Sequence, residues 1–486
     1  MNSQAGGTHQ KAIQVNLDRE VFGTFAEIGA GQEVVRWFFQ VGGASGTIAK
    51  TMSAYDMEVS DAIYGACKRY VSRERLQGML DYEWMRLMQR LDKSRGERTK
   101  FFVFADTVAA RSFSRQEPGE GWLGIRFQTA PRAEPSEIII HARLWDDDNV
   151  RQQEALGVLG VNLIHAAFYR HQEPLALIGS LLDDLGRARM EVDMIKFSGP
   201  SFAGVDHRLM SLQLVDQRLT NAALFTARGD VVEPAEVLHK RAVLIERGTF
   251  RPMTNVMLDM LERSEAQMRH EPLLEGEEPL VLLEMTLRHL DETSRAQQDT
   301  EDPGGKPGLD HTDFLARADT LSMFGKTVMI SNYARFHNVS DYLRRYTQKL
   351  IVMPVGAPIL GELFAEKHYT DLEGGILEAC GRLFHGPVKL YVYPRRNLTT
   401  GEFLGADTFR PREGMRHLYA HLRENRFIEP IAEYRFADLD VLPKDVLQII
   451  QDGDPIWQTL VPPAVAERIK RDRLFGFGRA TNGTPT

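Results

Sequence analysis

Two cysteines, Cys67 and Cys380, are all that 486 residues contain. They lie far apart in sequence, which excludes a disulfide framework and a cysteine-built structural zinc site and makes the cytosol (a cytoplasmic location) the expected compartment. A long hydrophobic run is also missing. The longest, EALGVLGVNLIHAAFY at 154–169, is broken by Asn162 and His165 and falls short of the roughly 20 apolar residues a bilayer span needs, so it reads as a buried helix. The opening MNSQAGGTHQ lacks the basic and apolar segments of a secretory signal. Charge of one sign is not in excess: 59 Lys and Arg face 67 Asp and Glu, a net −8, and neither nucleic acid nor a membrane is expected as a partner. Catalytic signatures are absent too. There is no GxSxG elbow and no HExxH helix, and His141, His165, His171, His207, His337 and His385 show no ligand spacing.

With 43% hydrophobic residues, the chain can bury a large core, and its length predicts two or three structural units. Residues 1–12 and 476–486 read as polar tails, and 290–313, rich in Pro, Gly, Asp and Gln, as a mobile surface loop. Short apolar runs alternate with helix-like stretches at 192–197, 221–227, 241–246, 279–286, 326–332, 349–355 and 388–393. That alternation predicts an α/β fold with a mainly parallel sheet, doubly wound or barrel-like, in residues 190–395. Uneven spacing favours the open, doubly wound form. The region 1–150 reads as α+β, with strands at 100–109 and on both sides of APRAEP, and 410–475 as mainly helical. The expected domains are 1–150, 151–400 and 401–486.

Two glycine-rich segments stand near the N-terminus. In FAEIGAGQE an apolar run leads through Glu27 to Gly29 and Gly31 and then to a helix, the order that phosphate binding at a helix N-terminus requires. The dinucleotide fingerprint is incomplete, because its third glycine is Val34, and the methyltransferase form of the loop would want glycine at Glu33. In VGGASGTIAKTM, Gly42, Gly43, Ser45 and Gly46 precede Lys50, so that backbone amides and one cation could form an anion nest, although three residues separate the last glycine from the lysine. Gly29, Gly31, Gly43, Gly46 and Lys50 are therefore the candidate cofactor-binding residues, with plain structural turns as the alternative.

Ligands of α/β sheets bind at the carboxyl ends of strands, so polar residues ending apolar runs are informative. Here they are Lys196 and Ser198, Thr226 and Arg228, Glu246 and Arg247, Glu284, and Ser331 with Asn332. Lys196, Glu246, Glu284 and Asn332 are the candidate catalytic residues: cations and hydroxyls suit a phosphate, and glutamates suit a general base or a metal ligand. The alternative is that each is simply charged where a strand meets solvent. LWDDDN at 144–149 offers carboxylates to Mg²⁺, or an acidic turn. FFVFADT and MISN are similar to the first two motifs of haloacid-dehalogenase-like phosphatases, but the nucleophile position is Phe104, which removes that chemistry.

FGTFAEIGAGQE, GGASGTIAKTMSAYDM, VSDAIYG, IKFSGPSFAGVDHRLMSLQLV and YTDLEGGILE together resemble a family of bacterial proteins of nearly this length; the family more often has Tyr where this chain has Phe22. The name nicotinate-nucleotide adenylyltransferase has been attached to some of its members. Such enzymes hold ATP phosphates with an HxGH pair, which this chain lacks, so the resemblance implies a shared architecture and transfers no catalytic residue. The leading expectation is an enzyme acting on a phosphorylated or nucleotide-like small molecule, forming a homo-oligomer. The alternatives are a non-catalytic assembly or regulatory protein, and an S-adenosylmethionine-dependent methyltransferase built on Glu27, Gly29 and Gly31.

Overall fold

The computed structural model describes residues 7–111, 118–287, 309–397, 400–441 and 443–478. The chain is a mixed α/β protein and divides into two compact units, 1–223 and 224–486.

The first unit runs α1 (Thr8–Leu17), β1 (Val21–Ile28), α2 (Glu33–Val41), β2 (Ile48–Met52), α3 (Met57–Tyr64), α4 (Arg73–Arg95), β3 (Lys100–Ala109), β4 (Gly119–Phe127), β5 (Ser136–Leu144), α5 (Asn149–Tyr169), α6 (Pro174–Ser180), β6 (Met190–Ser198) and α7 (His207–Asp216). Its sheet has the order β2-β1-β3-β4-β5-β6. Strands β2, β1 and β3 are parallel, and β3 through β6 antiparallel. The run at 192–197, expected to open the parallel region, is thus the antiparallel edge of this first sheet. Local sequence shows that it is a strand, whereas its partner β5 lies about fifty residues upstream.

Helix α5 is the centre of this unit's core. Fourteen of its residues are buried, on every side, which is why its apolar pattern has no helical stripe. Asn162 is satisfied there: it accepts from Lys11 Nζ at 2.7 Å and donates to the carbonyls of Leu181 and Asp183 at 2.9 and 2.8 Å. Lys11 also pairs with Asp183 at 2.6 Å. Residues 8–12, expected as part of a tail, are therefore the start of α1, pinned by a buried lysine; residues 1–6 lie outside the described residues. Gly160 lets α2 reach α5, since a Cβ there would stand 2.3 Å from Val34 Cγ2.

The second unit's sheet has the order β16-β13-β12-β9-β10-β11-β7-β8. Its elements are β7 (Ala222–Phe225), β8 (Val231–Val232), α8 (Pro234–Leu238), β9 (Val243–Arg247), α9 (Asn255–Met268), β10 (Leu280–Thr286), α10 (His311–Ser322), β11 (Thr327–Ser331), α11 (Phe336–Arg344), β12 (Ile351–Gly356), α12 (Ile359–Leu363), α13 (Gly375–Leu383), β13 (Val388–Tyr393), a minor ribbon of β14 (Arg395–Arg396) and β15 (Phe403–Leu404), α14 (Arg416–Glu424), β16 (Ile428–Pro430), α15 (Pro443–Gln451), α16 (Trp457–Leu460) and α17 (Pro463–Asp472). Strands β11, β10, β9, β12, β13 and β16 are all parallel. Two free edges make the sheet open rather than barrel-like, and its apolar strands are buried on both faces, as parallel strands require. The C-terminal helices close a core of their own, in which Trp457, Val465, Ile469 and Phe475 pack with Ala316 of α10. Most of the loop expected at 290–313 lies outside the described residues; Asp310, at its end, caps α10 by accepting from the amides of Thr312 and Asp313 at 2.9 and 3.0 Å. Among the described residues no helix is long and apolar enough to cross a membrane.

Candidate functional site

From β9 the second sheet grows outward through β10 to β11, then returns to the other flank of β9 with β12, β13 and β16. This is the 3-2-1-4-5-6 order of a doubly wound sheet, and its reversal falls between β9 and β12. In such sheets the crevice outside the carboxyl ends at the reversal is the place where ligands bind. Strand β9 ends there on Glu246 and Arg247.

Consecutive strand residues face opposite sides. Arg247 is paired in register with Glu284 of β10, and Glu246 with Leu283, so the two glutamates named from the sequence sit on opposite faces. On the first face Arg247 Nε donates to Glu284 Oε2 at 2.5 Å and Nη2 to Oε1 at 3.1 Å. Nη2 also donates to the Tyr333 carbonyl, and the guanidinium lies 5.3 Å from the Phe336 ring centroid. Ser331 Oγ donates to Glu284 and accepts from the Tyr333 amide at 3.2 Å. Glu284 has no solvent exposure and is neutralised within the protein. The network ties together the ends of β9, β10 and β11, and half-buried Asn332 follows directly after it.

Glu246 lies on the other face, the α9 face, which by register it shares with Lys389, Tyr391 and Tyr393 of β13 across the intervening β12; Tyr393 donates to Asp259 of α9 at 2.7 Å. Glu246 has no exposure, and neither carboxyl oxygen has a hydrogen-bond partner among the described residues. Burial pushes its pKa well above the usual carboxylate range, which favours the neutral acid. The turn that follows is held by α10: Arg317 donates to the Thr249 carbonyl at 3.1 Å, and Arg251 Nε to Asp313 at 2.5 Å. Thr254 then caps α9.

In the first unit the glycine segment proves to be self-liganded. Gly29 has φ +105°, and a Cβ there would lie 1.8 Å from the Val108 carbonyl oxygen; the position needs glycine because the chain leaving β1 lies directly against the backbone of β3. Gly31 has φ +88°, and a Cβ there would meet only the Glu33 side chain, at ordinary contact distance. The amides of α2 that a phosphate would use are taken, since Glu27 accepts from Val34 N at 2.9 Å and Val35 N at 3.0 Å. Beside it, in register on β3, Asp106 accepts from Ile28 N at 3.2 Å and leaves Oδ2 without a partner. Both acids are fully buried. Burial pushes Glu27 up to about 7, against the pull of its two amide bonds, and burial together with the Glu27 charge pushes Asp106 well above its usual value.

Gly43 (φ +81°) and Gly46 bound a short turn, next to which Asn16 donates to the carbonyls of Phe38 and Gly42 at 2.8 and 2.7 Å. Lys50 pairs with buried Glu83, to which Tyr64 also donates at 3.1 Å. Lys196 stands on β6 opposite Ile139, in a different sheet from Glu246, Glu284 and Asn332. The acids of LWDDDN serve separate purposes: Asp146 accepts from Arg189 at 2.8 Å, Asp147 from Arg111 at 3.1 Å, and Asp148 caps α5.

The sequence reading missed one pair. His141 Nδ1 lies 2.6 Å from Asp193 Oδ1, and Arg143 Nε donates to the other oxygen at 2.9 Å. His141 and Arg143 share a face by strand alternation, which was readable. Asp193 reaches them only through a bulge in β6, which was not.

No protein-family model matches the chain, and no curated protein matches it. Among solved structures it is similar to the competence/damage inducible protein CihA from Agrobacterium tumefaciens, at 14% identity over 33% of this chain and 95% of that one, with a TM-score of 0.24. It is also similar to a competence or damage-inducible protein from Enterobacter asburiae, at 13% identity over 34% and 99%, TM-score 0.24. A third is the competence damage-inducible protein A from Klebsiella pneumoniae subsp. pneumoniae MGH 78578, at 12% over 34% and 100%, TM-score 0.25. Likenesses of that size carry no argument.

Proposed function

We propose that this protein binds a phosphorylated or nucleotide-like metabolite at the carboxyl edge of its second sheet, beside the β9/β12 reversal. The observation that supports this is the 3-2-1-4-5-6 strand order with a buried, unpartnered carboxyl, Glu246, at its reversal. Thermal denaturation across nucleotides, sugar phosphates, S-adenosylmethionine and Mg²⁺ tests it, because a ligand at 100 times its Kd stabilises by about 2.7 kcal/mol. A rise with one phosphorylated class, reduced in Asn332→Ala, is expected; no rise with any phosphorylated compound overturns the reading.

A second reading, a non-catalytic assembly or regulatory protein, is favoured by one specific observation. Glu284 and Lys50, both offered by the sequence as ligand groups, are neutralised by Arg247 and Glu83. Light scattering on the purified chain tests it: a discrete homo-oligomer with no ligand response is its expected signature. The methyltransferase alternative gains no support, because Glu27 already holds the amides of α2.

A further inference from the structure

Glu246 stands apart from the other buried acids of its unit. Glu233, Asp259, Glu271, Glu284 and Asp313 each accept hydrogen bonds, from the Glu236 amide, Tyr393, Lys389, Arg247 and Arg251 respectively. Glu246 accepts none on either oxygen. Burial is the cause of its raised pKa. A buried polar group without a partner is costly, and leucine would suit the same strand position better. Residues that break a local rule without local compensation are expected at functional sites, and this one lies where the sheet reverses.

We propose that the Glu246 carboxyl is the recognition group for a planar amide edge, either a carboxamide or the adjoining ring N–H and C=O of a nucleobase, carried by the ligand of the second sheet. The inference rests on the ligand-binding reading above and specifies which part of the ligand meets the protein here. A neutral carboxyl presents one donor and one acceptor side by side, and an amide presents the complementary pair in the same plane, so two parallel hydrogen bonds satisfy both oxygens. A phosphate has no such match, since it needs cations or several amide donors. Because the side chain has no exposure, the protein around it must open first, and association is expected below about 10⁵ M⁻¹s⁻¹.

Calorimetric titration of the full chain with nicotinamide and uracil as amide-edge probes, and with adenosine monophosphate and pyrophosphate beside them, is the test. Glu246→Gln keeps a neutral donor and acceptor, so an amide-edge probe should bind it within about threefold of wild type. Glu246→Leu should weaken that probe at least thirtyfold while melting no lower than wild type, because it removes an unpartnered buried acid. Equal binding to Glu246→Leu, or a hundredfold loss in Glu246→Gln, overturns the inference. So does pyrophosphate binding without any amide-edge probe, an outcome that leaves the phosphorylated-ligand reading standing; if none of the four compounds binds, both fail.

Discussion

Raising the pH should destabilise the first unit through one buried acid pair. Glu27 and Asp106 sit side by side on parallel strands, and Glu27 titrates near 7 in the fold against 4.5 when free. Below pH 4.5 both folded and unfolded chains hold its proton. Between 4.5 and 7 the unfolded chain releases the proton and the folded chain keeps it, so stability falls as pH rises, and the loss is complete above 7. At about 1.4 kcal/mol per pH unit that interval amounts to a few kcal/mol. Asp106 acts with the same sign. His165 opposes both: burial and the Lys11 charge pull it down to about 4, so its contribution grows as pH rises from 4 to 6.5, and the bare wild-type curve is flattened there. The difference between wild type and Asp106→Asn isolates the Asp106 proton of the pair, since Glu27 and His165 titrate in both. Asparagine keeps the acceptor for the Ile28 amide and removes the charge. Urea titrations from about pH 4.5 upward should show the variant gaining on wild type as pH rises, by up to about 1.4 kcal/mol per pH unit for the one proton no longer held. A difference that stays flat or falls with pH would refute the argument.

Two further outcomes follow from individual contacts. Gly29→Ala places a Cβ at 1.8 Å from a strand carbonyl at φ +105°, so it should cost more than about 3 kcal/mol or abolish folding, as read by circular dichroism; a melting point within a degree of wild type would show the turn to be pliable. Arg247→Ala leaves Glu284 buried and uncompensated, for an expected loss of about 3–5 kcal/mol, which the double variant with Glu284→Leu should largely restore in denaturant unfolding; an unrestored double variant would mean that the pair does not act as a unit.

Much of the second sheet was legible because its strands are continuous apolar runs separated by room for helices. Leu244–Ile245, Leu282–Leu283 and Val352–Met353 declare themselves without any long-range information. The pairing of β6 was not legible, since a strand's sequence carries no address for its partner. The same limit governs the site. Glu246 and Glu284 are each the last acid of an apolar run, yet one residue of register puts them on opposite faces, one unpartnered, the other paired with Arg247. Glu27 was read as the prelude to a phosphate loop; that its side chain folds back onto α2 depends on the strand's end and the helix's start being brought together, which no spacing rule states.

That folded-back carboxylate gives the glycine turn a particular character. A carboxyl carried on a rigid strand meets its amides at an effective concentration on the order of molar or more, whereas metabolites circulate far below that. The turn between β1 and α2 is therefore a lock already holding its key, and a chain in which Glu27 were small would expose a ready-made anion receptor at the same backbone.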